Sequence, residues 1–230
     1  MMLRRMARVY YQEGGRILFW KIWAEIVSRM PKKSGDKIRL AGVETQRPNS
    51  RVLDGVIGRP GYESIEISAI REHVKPGDTV LDIGAGFGAT TVQAAQRCGP
   101  EGKVVTYEAS SHASEAIQYA TEQNECPAPV VVYNAVVGSG LDIRLDGGDG
   151  ADKISPSNLP PCDVVICDVE GAEAEILEDM GCTPSTVIVE AHEHMDSGFT
   201  EITDILTTRN YRIEEVKGDI DTISNIIAKK

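Results

Sequence analysis

Basic residues are in short supply in this 230-residue chain, which carries 24 Lys and Arg against 35 Asp and Glu for a net charge of −11. That deficit argues against a broad nucleic-acid surface, because such a surface needs a basic stripe to displace the counterions of the phosphate backbone. Paired cysteine motifs are missing as well: Cys98, Cys126, Cys162, Cys167 and Cys182 are odd in number and contain no Cys-x-x-Cys. Neither a disulfide framework nor a thiolate metal site is expected, and a reducing, cytoplasmic setting is the default. Long apolar runs are absent too. Lys21 and Glu25 interrupt the stretch from Ile17 to Met30, so the first residues read as neither a secretory signal nor a membrane span.

What is present is an ordinary globular composition, 41% hydrophobic and 26% charged, long enough for one domain with a modest extension. The charge is unevenly spread. Residues 1–40 hold ten Lys and Arg against three acids, and the remainder holds 14 against 32. Residues 9–30 have helical periodicity, with Phe19, Ile22, Trp23, Ile26 and Met30 on one face. Such a helix is expected to pack on the main domain or another subunit, and contact of residues 1–40 with an anionic membrane surface is the sharper alternative. Residues 31–60 read as a connector or lid, with a small hairpin around Asp54-Gly55. The expected division is therefore a helix and connector over 1–50 and a catalytic domain over 51–230.

From Thr79 onward, apolar runs alternate with helical periodicity. Strands are expected at 79–83, 103–108, 129–134, 163–168, 185–191, 211–217 and 221–228, with helices between most of them. Such alternation implies an α/β, Rossmann-like fold: a mostly parallel seven-stranded sheet with helices on both faces.

The first strand runs into Asp82-Ile83-Gly84-Ala85-Gly86-Phe87-Gly88, the layout of a strand, a tight turn and a helix start. Glycine permits the turn's backbone angles and lets a ligand approach the main chain, while the helix behind it presents unpaired N–H groups. Asp82 before the glycines suits an ammonium group better than a pyrophosphate, so the expected ligand is a nucleotide bearing an amino acid. Glu108 ends the next strand 20 residues after Gly88, where a carboxylate accepts ribose hydroxyls. Asn134 and Ala135, at the end of the third strand, stand where an amide and a small residue can read an adenine; an Asn capping a turn is an equal alternative.

The fourth strand is apolar until it breaks into Asp168 and Glu170, at the sheet edge where open α/β sheets bind ligands. Glu173, Glu175 and Glu178 follow on a helix and are expected to be solvated. The fifth strand turns polar at Glu190, His192 and His194, which alternation puts on one face. Glu190 or His192 is a candidate for substrate or base duty; the spacing matches no helical His-Glu-x-x-His, and no metal is expected. The run Asp146-Gly147-Gly148-Asp149-Gly150 lacks the closing Glu of a calcium loop and reads as a loop near the ligand mouth.

Together, Asp82-x-Gly84-x-Gly86-x-Gly88 and Glu108 resemble class I S-adenosylmethionine-dependent methyltransferases. Within them, Asp168-Val169-Glu170-Gly171-Ala172-Glu173, supported by Pro76-Gly77-Asp78 and Ala135-Val136-Val137-Gly138, resembles the FkbM type. The resemblance covers about residues 60–217. It implies S-adenosylmethionine as cofactor, with Asp82 near the methionine ammonium, Gly84, Ala85 and Gly86 around the amino-acid end, and Glu108 on the ribose. It also implies Asp168 and Glu170 on the acceptor side and O-methylation of a sugar or natural-product hydroxyl. Asp168 or His192 is then the expected base, and a small molecule or glycan the expected substrate. RNA or protein methylation and a noncatalytic binding role are the alternatives.

Overall fold

The structure is a computed structural model, and it describes residues 37–46, 64–138, 150–169, 171–192, 198–219 and 223–230. A two-stranded hairpin, β1 (Lys37–Leu40) and β2 (Val43–Gln46), precedes helix α1 (Ser64–His73). The main body then runs β3 (Thr79–Ile83), α2 (Ala89–Cys98), β4 (Lys103–Glu108), α3 (Ser111–Gln123), β5 (Val130–Val137) and β6 (Asp152–Ile154). It continues through β7 (Val164–Cys167), α4 (Glu173–Asp179), β8 (Thr186–His192), α5 (Phe199–Thr208), β9 (Arg212–Asp219) and β10 (Ile223–Lys229).

The sheet has the order β6-β5-β4-β3-β7-β8-β10-β9. Six strands, β3 to β8, run parallel to one another, while β10 runs antiparallel between β8 and β9. The chain winds outward from β3 in one direction and then crosses back to β7 on its other side. This reversal sets a topological switch point between β3 and β7, and doubly wound sheets take their ligands at the carboxyl ends of such strands.

The α/β Rossmann-like class is as expected, but the sheet has eight strands and not seven. The additional strand, β6, pairs only Asp152, Lys153 and Ile154 with Ala135, Val136 and Val137. Three residues, two of them exposed, are too few to show an alternating pattern. Strand β5 also continues past the expected end at residue 134 to meet it.

Alternation along the central strands builds two apolar layers. Leu81 and Ile83 of β3 join Val105, Val165, Val187, Ile176 and Leu206 on the side covered by α4 and α5. Val80 faces the opposite way, with Val104, Ile166, Ile188, Ile70 and Ala94 beneath α1 and α2. Each fully buried aliphatic side chain contributes roughly 1.5–3 kcal/mol, so these layers fix the strand ends that carry the polar groups.

The hairpin at 37–46 lies within the segment expected as a connector, yet it packs onto the body. Ala41 and Gly42 both have positive φ, as a two-residue hairpin turn requires. Leu40 and Val43 bury against Phe87, Ala113, Ala116 and Ala120. Asn124 closes the contact: its Nδ2 donates to Glu44 O at 2.8 Å and its Oδ1 accepts from Glu44 N at 3.0 Å. The helix expected at 9–30 and the hairpin expected at 51–57 lie outside the described residues. No helix among the described residues is long and apolar enough to cross a membrane.

Candidate functional site

Two turns meet at the carboxyl edge of the sheet. The first is the glycine turn after β3. Gly84, Gly86 and Gly88 all have positive φ, at 85°, 53° and 88°. Each glycine has its own reason. A Cβ on Gly84 would stand 1.8 Å from the Asp168 carbonyl oxygen, and one on Gly88 would stand 3.2 Å from Ile117 Cα. A Cβ on Gly86 would meet nothing within 4 Å, so this glycine faces open space at the mouth of the turn. Ala85 is buried, and its carbonyl accepts from Gly88 N at 3.0 Å. Gly88 is the N-cap of α2 and offers no side-chain cap, so no capping side chain at that position satisfies the first N–H groups of the helix.

Asp82 lies beneath the turn, 1% exposed. Its Oδ2 accepts from Thr90 Oγ1 at 2.9 Å and Thr91 Oγ1 at 2.6 Å, tying the end of β3 to the first turn of α2. Burial raises its pKa to about 6, against the opposing effect of the two hydroxyls. Glu108, at the end of β4, accepts from Gly86 N at 3.0 Å and Ser110 N at 2.8 Å. Burial lifts it to about 7 despite these bonds, and the nearby Asp82 charge adds to the rise. A carboxylate has four acceptor positions, so Glu108 retains capacity for a ligand's hydroxyls.

Asn134 stands beside Glu108 in register on β5. Its Nδ2 donates to Glu108 O at 3.0 Å and Ala109 O at 2.9 Å. The amide thus braces the turn after β4. Ala135 sits apart from this group, buried in the core layer and paired with Asp152 of β6.

The second turn follows β7. Asp168 N donates to Ile83 O at 3.0 Å, docking this turn beside the glycine turn. Around Asp168 gather Glu173 from the start of α4 and Glu190 and His192 from β8. His192 Nδ1 lies 3.0 Å from Glu173 Oε1, and its Nε2 lies 3.4 Å from Glu190 Oε1 and 3.7 Å from Asp168 Oδ1. Burial alone would disfavour the imidazolium, but the three carboxylates outweigh it and raise His192 to about 10. At neutral pH His192 is therefore a cation.

Glu173 was expected on a solvated helix surface and is instead 0% exposed. Besides His192, it accepts from Val169 N at 3.2 Å and Gly171 N at 2.8 Å. The signal for it in the sequence was an acid at the first helical position directly after Gly171-Ala172, where a carboxylate can satisfy the backbone N–H groups of the preceding turn. Glu66 of α1 also reaches this region: its carboxylate, those of Asp168 and Glu190, and separately those of Asp168, Glu173 and the His192 ring, bring ligand atoms within 4.8 Å of one another. Such groups can hold a cation, and the His192 imidazolium already provides positive charge at the centre of the second set. Glu170 and His194 lie outside the described residues.

The residues present fit a nucleotide bearing an amino acid: open space beside Gly86, an uncapped helix start, and carboxylates on both sides. Comparison with known proteins bears on which one. Residues 142–213 match the methyltransferase FkbM domain, a stretch that contains Asp168, Glu173, Glu190 and His192. Among solved structures, the chain is similar to a precorrin-6y C5,15-methyltransferase from Geobacter metallireducens, at 18% identity and a TM-score of 0.54 over 76% of this chain and 92% of that one. It is similar to a ribosomal protein L11 methylase from Lactobacillus delbrueckii, at 14% identity and a TM-score of 0.52 over 75% and 81% of the two chains. A tRNA (uracil-54, C5)-methyltransferase from Pyrococcus abyssi, solved in complex with S-adenosyl-L-homocysteine, gives 18% identity and a TM-score of 0.52 over 86% of this chain and 45% of that one. At such identities the likeness establishes the fold. No curated protein matches the chain in sequence. The acidic turn lies inside the stretch that matches the methyltransferase FkbM domain, and the sheet shares the fold of these methyltransferase structures.

Proposed function

We propose that the chain methylates a hydroxyl group on a small molecule or glycan. The observation that carries this reading is the abutment of the two turns, with Gly84 against the Asp168 carbonyl. It supports a donor side at the glycine turn and an acceptor side at Asp168, close enough for one ligand to face the other.

S-adenosylmethionine, when bound, supplies an electrophilic methyl group on a sulfonium. The chain's own residues then have to hold, orient and deprotonate. Gly84, Ala85 and Gly86 line the amino-acid end, with the Asp82 charge beneath them. Glu108 takes the ribose hydroxyls, and Asn134 braces the turn that carries it. Asp168, with 32% of its side chain exposed, is the group that takes the acceptor's hydroxyl proton. His192 is already protonated, so it serves as a fixed cation against Asp168, Glu173 and Glu190, and Glu170 is assigned to orient the acceptor. The acidic body disfavours RNA as the acceptor.

The test offers labelled S-adenosylmethionine with a panel of polyhydroxylated small molecules and glycans, and with RNA and protein as controls. Label on a hydroxyl oxygen, lost in Asp168→Asn, supports the proposal. Salt-dependent RNA retention that disappears on removing residues 1–40, with label in the RNA, overturns it.

A further inference from the structure

The sulfurs of Cys162 and Cys182 lie 3.8 Å apart, in contact, at the opposite end of β7 from Asp168. Neither residue belongs to the site described above, and all five cysteines are free thiols. Cys182 is 5% exposed, while Cys162 is half-buried and so within reach of solvent. Arg209, at the end of α5, donates to the carbonyls of Met180 at 2.9 Å and Cys182 at 3.3 Å, which sets a guanidinium beside the pair. The Cys162 thiol donates to the Cys182 sulfur and holds Cys182 below the usual thiol range, with burial opposing and Arg209 helping. The same bond holds Cys162 well above the usual thiol range. The shared proton and the neighbouring guanidinium favour ionisation of Cys182 over Cys162, the division of labour of an attacking and a resolving cysteine.

We propose that Cys162 and Cys182 form a reversible disulfide on exposure to a peroxide. The Cys182 thiolate attacks one peroxide oxygen, the O–O bond breaks, and hydroxide leaves to take a proton from solvent, giving a sulfenic acid and one water. The Cys162 sulfur then attacks the Cys182 sulfur, the S–O bond breaks, and the departing hydroxyl takes the Cys162 proton as a second water. Two electrons pass from the two thiols to the peroxide. The contact shortens to the length of an S–S bond, about 2.05 Å. A small oxidant suits the low exposure of Cys182. The bond closes a loop over residues 163–181, which carries both Asp168 and Glu173, so it pins the two ends of the segment that bears the acidic turn.

The experiment treats the full chain with hydrogen peroxide and follows free thiols, peptide masses under non-reducing conditions, and the melting midpoint. The expected result is loss of two of the five thiols, a single cross-linked peptide joining Cys162 to Cys182, and a midpoint raised by roughly 5–10 °C, all reversed by dithiothreitol. In Cys162→Ser no cross-link forms, and dimedone traps a sulfenic acid at Cys182. Because the wild-type readings need no variant, poor folding of Cys162→Ser leaves the proposal testable. Retention of all five thiols, oxidation confined to Cys98, Cys126 or Cys167, or oxidation of Cys182 without a link to Cys162 would overturn it.

Discussion

Gly84 and Asp168 cannot both keep their places if residue 84 carries a side chain: the added Cβ would stand 1.8 Å from the Asp168 carbonyl oxygen. Gly84→Ala is therefore expected to destabilise the protein by about 3 kcal/mol or more, through a backbone clash joined to a positive φ. Gly86→Ala separates the two effects. Its Cβ meets nothing within 4 Å, so stability should fall by only about 1 kcal/mol while affinity for S-adenosylhomocysteine drops at least tenfold. Thermal melts and calorimetry on the two variants check this.

Glu173 and His192 form a buried ion pair, and removing one partner strands the other. Glu173→Ala is expected to cost about 3–5 kcal/mol. In Glu173→Gln the His192 pKa should fall by at least a unit from its value of about 10, as read by NMR of the ring protons. His192 is raised in the folded state, so its contribution to stability is complete below the unfolded value of about 6.5 and is lost as pH rises through about 10. The stability difference between wild type and His192→Gln should therefore be level below pH 6.5 and shrink steadily above it.

Glu108 behaves in the opposite sense. Burial raises it from 4.5 to about 7, so the folded state keeps this proton to higher pH than the unfolded chain does. Its ionisation therefore works against folding, and the melting midpoint should decline as pH rises from about 4.5 to 7. Glu108→Gln removes that part of the slope. An unchanged slope in the variant would show that Glu108 titrates normally.

Asn124 holds the hairpin through two bonds to Glu44, at 2.8 and 3.0 Å. Asn124→Ala should cost about 1–2 kcal/mol and speed hydrogen exchange in residues 43–46 more than in β3. Equal exchange in both segments would show that the hairpin stands without it.

The succession of the main parallel strands along the chain, and the polar residues at several of their carboxyl ends, were legible because they rest on local patterns. Apolar runs such as Val164 to Cys167 end abruptly in acids, and the glycines of the first turn occupy alternate positions. What escaped was tertiary. Glu173 reads as one of several helix acids, and only the approach of β8 turns it inward onto His192. The protonation of His192 likewise depends on three carboxylates from separate elements converging on one ring. Strand β6 is too short to have a period, and the hairpin at 37–46 owes its position to Asn124, 80 residues away.

The proposed donor half at the glycine turn and acceptor half at Asp168 are separated most directly by calorimetry with S-adenosylhomocysteine. Wild type should bind with one site per chain, Glu108→Ala should lose at least tenfold in affinity, and Asp168→Asn should bind as wild type does while failing to transfer a methyl group. No binding by wild type, or equal loss of binding in Asp168→Asn and Glu108→Ala, would contradict this division.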